Sequence, residues 1–153
     1  MSLSPIELEN LAASAARHNL LSYAIGHFRD YKTPPHLMLL AEKLMAVERG
    51  EIKRLAVFMP PRHGKSQMGS YLFPAYLMGK MPDTKLIVGS HTAELAQRFG
   101  RMIRNLVDDE KYKELFPKMA LSVDSKDAGR WNTAQGGEAF FIGKGGAMTG
   151  RGG

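Results

Sequence analysis

The sequence predicts an α/β fold in which helices pack around a mainly parallel sheet. Short apolar runs typical of buried strands alternate along the chain with longer segments of helical periodicity. The chain has 153 residues, of which 44% are apolar, enough for a packed core. No apolar run approaches the roughly 18 residues of a membrane span, so no membrane association is expected. Cysteine is absent, which excludes disulfides and cysteine-based metal sites.

The first elements are predicted to be helices because capping residues precede their apolar periodicity. Ser4 can cap the first helix, and Glu7 can complete a capping box. Residues 18–19 are expected to separate this helix from a second one. A third helix is predicted to start at the Thr-Pro-Pro sequence of residues 33–35 and to stop at Gly50.

Two apolar runs, at residues 54–59 and 85–89, are predicted to be strands buried on both faces, as in parallel sheets. A helix is expected between them, over about residues 65–77. Because proline lacks a backbone N–H and its ring clashes with the preceding turn, Pro74 predicts a kink in that helix.

The second half of the chain is predicted to hold two more helices and a hairpin. Residues 95–106 form a strongly amphipathic pattern, and residues 112–116 predict a short helix ended by proline. Residues 130–142 are typical of a β-hairpin with a glycine-containing turn. The glycine-rich residues 143–153 predict a loop.

The net charge of +6 is concentrated in one third of the chain. Residues 51–104 contain nine basic and three acidic side chains, whereas the segments on either side are neutral overall. Such an excess attracts phosphate groups of nucleotides or nucleic acids, although a solvated basic surface is commoner. Three arginines lie around the polar face of the amphipathic helix and are candidate DNA contacts, with a solvated face the favoured interpretation: Arg98, Arg101 and Arg104.

Residues 60–66, Pro-Pro-Arg-His-Gly-Lys-Ser, lie between a predicted strand and a predicted helix, where a phosphate-binding loop is expected. Backbone N–H groups at a helix start point at an anion, and the helix dipole adds positive charge. Gly64 permits close approach, Lys65 would reach the β- and γ-phosphates, and the Ser66 hydroxyl would join the Mg²⁺ shell. The usual motif has a further glycine where Met59 stands, and the two prolines remove two donors.

This loop resembles the deviant Walker A loop of the large subunit of phage DNA-packaging terminases. The resemblance extends to residues 35–55, 90–96 and 145–152, and so covers roughly residues 28–153. It implies an incomplete P-loop NTPase-like fold, a three-layer parallel sheet with N-terminal helices and a C-terminal β-hairpin. It also implies an N-terminal helical segment over residues 1–32, followed by a partial ATPase domain.

The resemblance implies a motor ATPase that drives viral DNA into a procapsid, and it gives individual residues roles. Arg62 resembles the family's Walker A arginine, although it stands three residues before Lys65 where many members have four. Arg151, in the glycine-rich segment, would be an arginine finger acting on a neighbouring subunit. With Lys65 these two are the expected catalytic residues, and Ser66 is the expected Mg²⁺ contact. The nucleotide would be bound by Pro61, Arg62, His63, Gly64, Lys65, Ser66 and Gln67.

The carboxylates that ATP hydrolysis requires are not evident. The acidic stretch at residues 106–110 has only two apolar residues before its acids and is interpreted as a solvated helix end. In the family the Walker B strand would begin just after Gly153, and a nuclease domain would follow. The chain alone is therefore expected to bind Mg-ATP without turning it over.

The resemblance also implies partners: double-stranded DNA, the portal, the small terminase subunit and like subunits in a ring. A phage or prophage protein of this kind would work in the bacterial cytoplasm. Three alternatives remain: a superfamily 2 helicase-like ATPase, a non-catalytic phosphate- or DNA-binding remnant, and self-association that supplies missing strands. His36 and His63 can position a nucleotide. Phe28 and Tyr31 can stack on adenine, although core packing is favoured for them.

Overall fold

A computed structural model describes residues 3–28, 30–124 and 127–144 of the chain. Contacts between residues divide the chain into two compact units, Met1–Tyr76 and Leu77–Gly153, each with its own packing. The expected functional division between residues 32 and 33 remains a prediction, because this division rests on contacts alone. Within the described ranges, every helix is too short or too polar to cross a bilayer.

The first unit begins with three helices that have the predicted starts and ends: α1 (Pro5–His18), α2 (Leu20–His27) and α3 (Pro35–Glu48). Ser4 and Glu7 form the expected capping box at α1. Asn19 ends α1, and its side chain accepts hydrogen bonds from the first turn of α2. Gly50 follows α3 with a φ of 75°, a left-handed conformation that glycine adopts without strain.

The core of the first unit lies between α2, α3 and the helix that follows the predicted phosphate loop. Its side chains are apolar or aromatic and exclude water from the helix contacts. The Tyr76 hydroxyl donates to the Arg17 carbonyl oxygen at 3.2 Å, which ties this later helix to the end of α1. The buried residues include Leu20, Tyr23, Ala24, Leu40, Leu44, Met68, Leu72 and Tyr76.

The strand predicted at residues 54–59 is not formed, so that prediction is wrong. The segment alternates between half-buried and exposed residues, and Phe58 is 94% exposed. No backbone hydrogen bond reaches the segment from any residue in the described ranges. An apolar run supplies the tendency to be buried, but a strand also requires a neighbouring strand to pair with.

The predicted helix after the loop is present and extends further than expected. It begins at Lys65, passes through a π-helical segment (Gln67–Leu72) and continues as α4 (Phe73–Lys80). The Phe73 N–H donates to the Met68 carbonyl, a hydrogen bond that closes one π-helical turn. Pro74 follows directly after this wide turn, and the kink expected there remains a prediction.

The second unit contains a three-stranded mixed sheet in the order β1-β3-β2, built from β1 (Lys85–Ser90), β2 (Arg130–Asn132) and β3 (Glu138–Gly143). β1 and β3 are parallel, with Ile87 opposite Phe140. β2 and β3 form the predicted antiparallel hairpin. The prediction that β1 is buried on both faces is wrong, because its residues alternate between exposed and half-buried at the sheet edge.

Helix α5 (Ala93–Val107) packs on one face of this sheet, and a short α6 (Glu110–Leu115) follows it. The Thr92 side chain caps α5 by accepting from the Leu95 N–H. The indole N–H of Trp131 donates to the Gly100 carbonyl oxygen at 3.3 Å, which joins β2 to α5. The ring of Phe141 stacks near Trp131, so the hairpin and α5 share one core.

The structure thus has the expected mixture of helices and parallel strands, with helices first and a hairpin towards the end. The sheet is mixed because β1 and β3 run parallel whereas β2 and β3 run antiparallel.

Candidate phosphate-binding site

The loop at residues 60–66 has an unusual backbone. Arg62 has a φ of 64° and Gly64 a φ of 83°, so two left-handed residues flank His63. The Met68 N–H donates to the Gly64 carbonyl oxygen at 2.9 Å and closes the first turn of the helix. Left-handed residues within a tight turn collect successive N–H groups on one concave side, an arrangement that binds anions.

Several N–H groups at this helix start point at no acceptor among residues 3–28, 30–124 and 127–144. Those of Gly64, Lys65 and Ser66 donate to no oxygen within the described part of the chain. The first N–H groups of a helix cannot be satisfied inside it, and the helix dipole makes this end positive. The Lys65 side chain adds charge, and its Nζ lies 3.5 Å from the Met59 carbonyl oxygen, back across the loop.

Two histidines fix the carbonyl groups of the loop. His63 Nδ1 donates to the Pro61 carbonyl oxygen at 2.8 Å. His36, in the first turn of α3, donates from Nε2 to the His63 carbonyl oxygen at 3.2 Å. The two imidazole rings lie edge to face with centroids 5.7 Å apart. Both histidines therefore hold carbonyl groups of the loop. The sequence places His63 within the loop, whereas the contact of His36 is evident only from the structure.

A cavity of about 620 Å³ opens beside the loop. This volume lies within the range of small-molecule sites. Aromatic side chains from the segment after α2 form one wall, and Arg62 is on the loop side. The lining residues that bear on function are Phe28, Tyr31, Arg62, His63, Gly64 and Gln67.

Phe28 and Tyr31 contact each other, with ring centroids 6.2 Å apart, and both also line this cavity. Both side chains are half-buried and lie outside the buried core, so the core packing favoured from sequence is only partly present, and aromatic surface lines the cavity. The Tyr31 hydroxyl is buried with no hydrogen-bond partner within the described ranges. Burial raises the pKa of this hydroxyl above its usual value because the phenolate would lose solvation.

The predicted site residues are only partly brought together. The loop residues from Pro61 to Gln67 lie consecutively at the helix start, and most of their side chains are exposed. Arg151, by contrast, lies outside the described residues, so its expected role stays a prediction. In the described ranges, no three histidine, aspartate or glutamate side chains converge to hold a metal ion.

The three helix arginines differ in exposure. Arg98 and Arg101 are exposed on α5, and neither forms an ion pair with a described residue. Arg104 is half-buried, and its Nε is buried without a described partner. The prediction that all three share a solvated face is wrong for Arg104, because the helix turns that position towards the packed side.

The acidic stretch at residues 106–110 is a helix end, as predicted. Asp108 follows the last residue of α5 and forms an ion pair with Lys113 at 2.8 Å. Asp109 caps α6 through its side chain, which accepts from the Lys111 N–H. These carboxylates are therefore engaged in helix capping and a surface ion pair, not in a strand end.

Comparisons with models of known protein families, with curated proteins and with solved structures find no match.

Proposed function

We propose that this chain is the nucleotide-binding part of a viral DNA-packaging terminase ATPase, and that residues 61–67 bind the phosphates of Mg-ATP. The backbone of the loop is the observation that carries the proposal. Its left-handed residues, Arg62 and Gly64, precede a helix start whose N–H groups find no acceptor among the residues that the structure describes. A phosphate group supplies the oxygen atoms that such donors require.

The residues present fit a magnesium nucleotide. The N–H groups of Gly64, Lys65 and Ser66 would hold phosphate oxygens, and the Lys65 ammonium would neutralise their charge. The Ser66 hydroxyl would enter the Mg²⁺ shell, and the ion would supply charge neutralisation between the phosphates. The cavity beside the loop is large enough for a nucleoside, and Phe28 and Tyr31 offer aromatic surface for the base.

Two arginines have proposed roles on the phosphates. Arg62 lines the cavity with an exposed side chain, so its guanidinium can contact a phosphate without rearrangement of the core. Arg151 is proposed, from the resemblance alone, to act on the nucleotide of a neighbouring subunit. Since Asp108 and Asp109 stand at helix ends and not at the end of a strand, we expect the chain by itself to bind Mg-ATP without turnover.

The remaining parts of the proposal concern partners. The exposed Arg98 and Arg101 would contact the phosphate backbone of double-stranded DNA. The resemblance further proposes a P-loop NTPase-like sheet in the complete ATPase domain, and assembly with a portal, a small terminase subunit and like subunits in a ring. A phage- or prophage-encoded protein with these partners would act in the bacterial cytoplasm.

Titration calorimetry with Mg-ATP tests the phosphate site. Lys65→Ala is expected to weaken binding by about tenfold or more, because a hydrogen bond to a charged group contributes roughly 1.5–3 kcal/mol. Lys53→Ala is the matched control, since it removes an equal charge from an exposed position before the loop. Equal losses in the two variants would mean that only general charge attracts the nucleotide. Steady hydrolysis that survives Lys65→Ala would exclude the P-loop assignment.

A non-catalytic phosphate-binding module is the second candidate, favoured because Asp108 is held in a surface ion pair and Asp109 caps α6. The same titration, repeated with inorganic pyrophosphate, separates the two proposals. A terminase-like site should prefer Mg-ATP strongly, because the cavity adds contacts to the nucleoside. A general phosphate-binding module should bind both ligands with similar affinity.

A further inference from the structure

His36 contacts the loop from a distant part of the chain. It is the second residue of α3, and it lies 27 residues before His63, whose carbonyl oxygen accepts its Nε2 proton at 3.2 Å. The side chain is exposed, so core packing does not account for its orientation. The hydrogen bond and the edge-to-face contact with the His63 ring are the contacts that hold it there.

The next residue of α3 contacts the next residue of the loop. A Cβ atom built on Gly64 would lie 3.0 Å from Leu37 Cδ1 and 3.2 Å from Cδ2. Leu37 is buried and belongs to the core of this unit. Two successive residues of α3 therefore contact two successive residues of the loop, one through a hydrogen bond and one through packing. The first turn of α3 forms a fixed support for the peptide that joins His63 to Gly64.

The orientation of that peptide determines where an N–H group points. In a planar trans peptide the carbonyl oxygen and the following N–H lie on opposite sides of the C–N bond. When His36 holds the His63 carbonyl towards α3, the Gly64 N–H must point away from α3. That N–H is one of the donors without an acceptor in the described part of the chain. The hydrogen bond from His63 Nδ1 to the Pro61 carbonyl directs the Arg62 N–H by the same geometry.

We propose that His36 is a positioning residue of the phosphate site, which aims the Gly64 N–H at the bound phosphate by anchoring the His63 carbonyl. This inference rests on the proposed nucleotide site at the same loop. His36 touches no phosphate itself. A neutral imidazole with its proton on Nε2 and a doubly protonated ring both offer the Nε2–H donor, so this hydrogen bond does not require a charged side chain.

The test compares three variants by titration with Mg-ATP. His36→Ala removes the donor and is expected to weaken binding about fivefold, the equivalent of one net hydrogen bond. His36→Gln keeps an N–H donor at similar reach and is expected to restore most of the affinity. His18→Ala is the matched control, because His18 also donates to a backbone carbonyl, that of Ser14, at 2.8 Å but within α1. Its affinity for Mg-ATP should equal that of the unmodified chain.

The amide resonance of Gly64 gives a second readout that needs no ligand. In ¹H–¹⁵N spectra of the free chain, His36→Ala should shift this resonance, and His36→Gln should return it towards its original position. If the chain binds Mg-ATP and Lys65→Ala abolishes binding, but His36→Ala binds normally, the positioning role is wrong and the nucleotide site stands. If no Mg-ATP binds although the Gly64 resonance responds as expected, the site assignment fails while the backbone support is real.

Discussion

Replacing Gly64 by alanine measures how tightly the loop is held against α3. The glycine has a φ of 83°, and a left-handed backbone costs an L-residue about 1–2 kcal/mol. The new Cβ would also lie 3.0 and 3.2 Å from the two methyl carbons of Leu37. Crowding of this kind in a packed core costs roughly 1 kcal/mol or more. The two contributions together predict a loss of about 2–4 kcal/mol of unfolding free energy.

Gly50→Ala is the matched comparison. Gly50 has a φ of 75°, but a Cβ built there meets nothing within 4 Å. Its replacement should therefore cost only the backbone contribution, about 1–2 kcal/mol. The difference between the two variants isolates the contact between Gly64 and Leu37.

Urea unfolding followed by far-ultraviolet circular dichroism gives both free energies, provided that the two variants have the same dependence on denaturant. Titration with Mg-ATP on the same samples reports the functional consequence, which should be confined to Gly64→Ala. If both variants lose equal stability, Leu37 does not support the loop. Support of the phosphate-binding loop by α3 would then be excluded.

Three further predictions concern the left-handed backbone of Arg62, the buried tyrosine hydroxyls and the exposed ring of Phe58. Arg62→Gly relieves a left-handed non-glycine residue and should raise the unfolding free energy by about 1 kcal/mol while weakening Mg-ATP binding; a loss of stability would contradict the strain argument. Burial raises the pKa of the Tyr31 and Tyr76 hydroxyls, so the folded chain keeps protons that the unfolded chain releases near pH 10. The unfolding free energy should therefore be independent of these groups below that pH and fall above it. Urea titrations between pH 8 and 11 should show a shallower fall for Tyr31→Phe than for the unmodified chain. Phe58→Ser removes an exposed ring, so light scattering should show less association at high concentration, with unfolding free energy changed by less than about 0.5 kcal/mol.

Local signals in the sequence predicted the helices well. The capping box of Ser4 and Glu7 and the break at Asn19 are encoded within a few residues, and the structure has them where they were expected. The hairpin over residues 130–142 was equally local, because its turn residues lie between its two strands. Elements of this kind need no information from distant parts of the chain.

The errors lie where a distant partner decides the structure. Residues 54–59 have the composition of a buried strand, but pairing depends on a neighbour that composition does not specify. Within the described ranges β1 pairs with β3 alone, and one of its two faces is left uncovered, so alternate residues stay exposed. The exposure of Arg104 was misjudged because a regular helical projection does not show which residues the sheet and hairpin cover.

The candidate site likewise combines local features that the sequence predicts with contacts between distant residues that it does not. The motif at residues 60–66 was visible in sequence, and so was its position before a helix. The support from His36 was not visible, since a single histidine in a helical turn carries no pattern that points to a carbonyl 27 residues away. The cavity wall formed by Phe28 and Tyr31 likewise depends on how the segment after α2 folds back.

Residues 54–59, which have no backbone partner in the described part of the chain, have a consequence for solubility. An apolar, β-prone run with open backbone groups can stack with copies of itself into insoluble aggregates. Lys53 and Arg54 stand at one end of this run, and Arg62 and Lys65 follow shortly after the other. Charges in such flanking positions act as gatekeepers, because stacked copies would bring like charges together. The basic residues around the loop are therefore also expected to limit self-association, so variants that neutralise them should aggregate more readily.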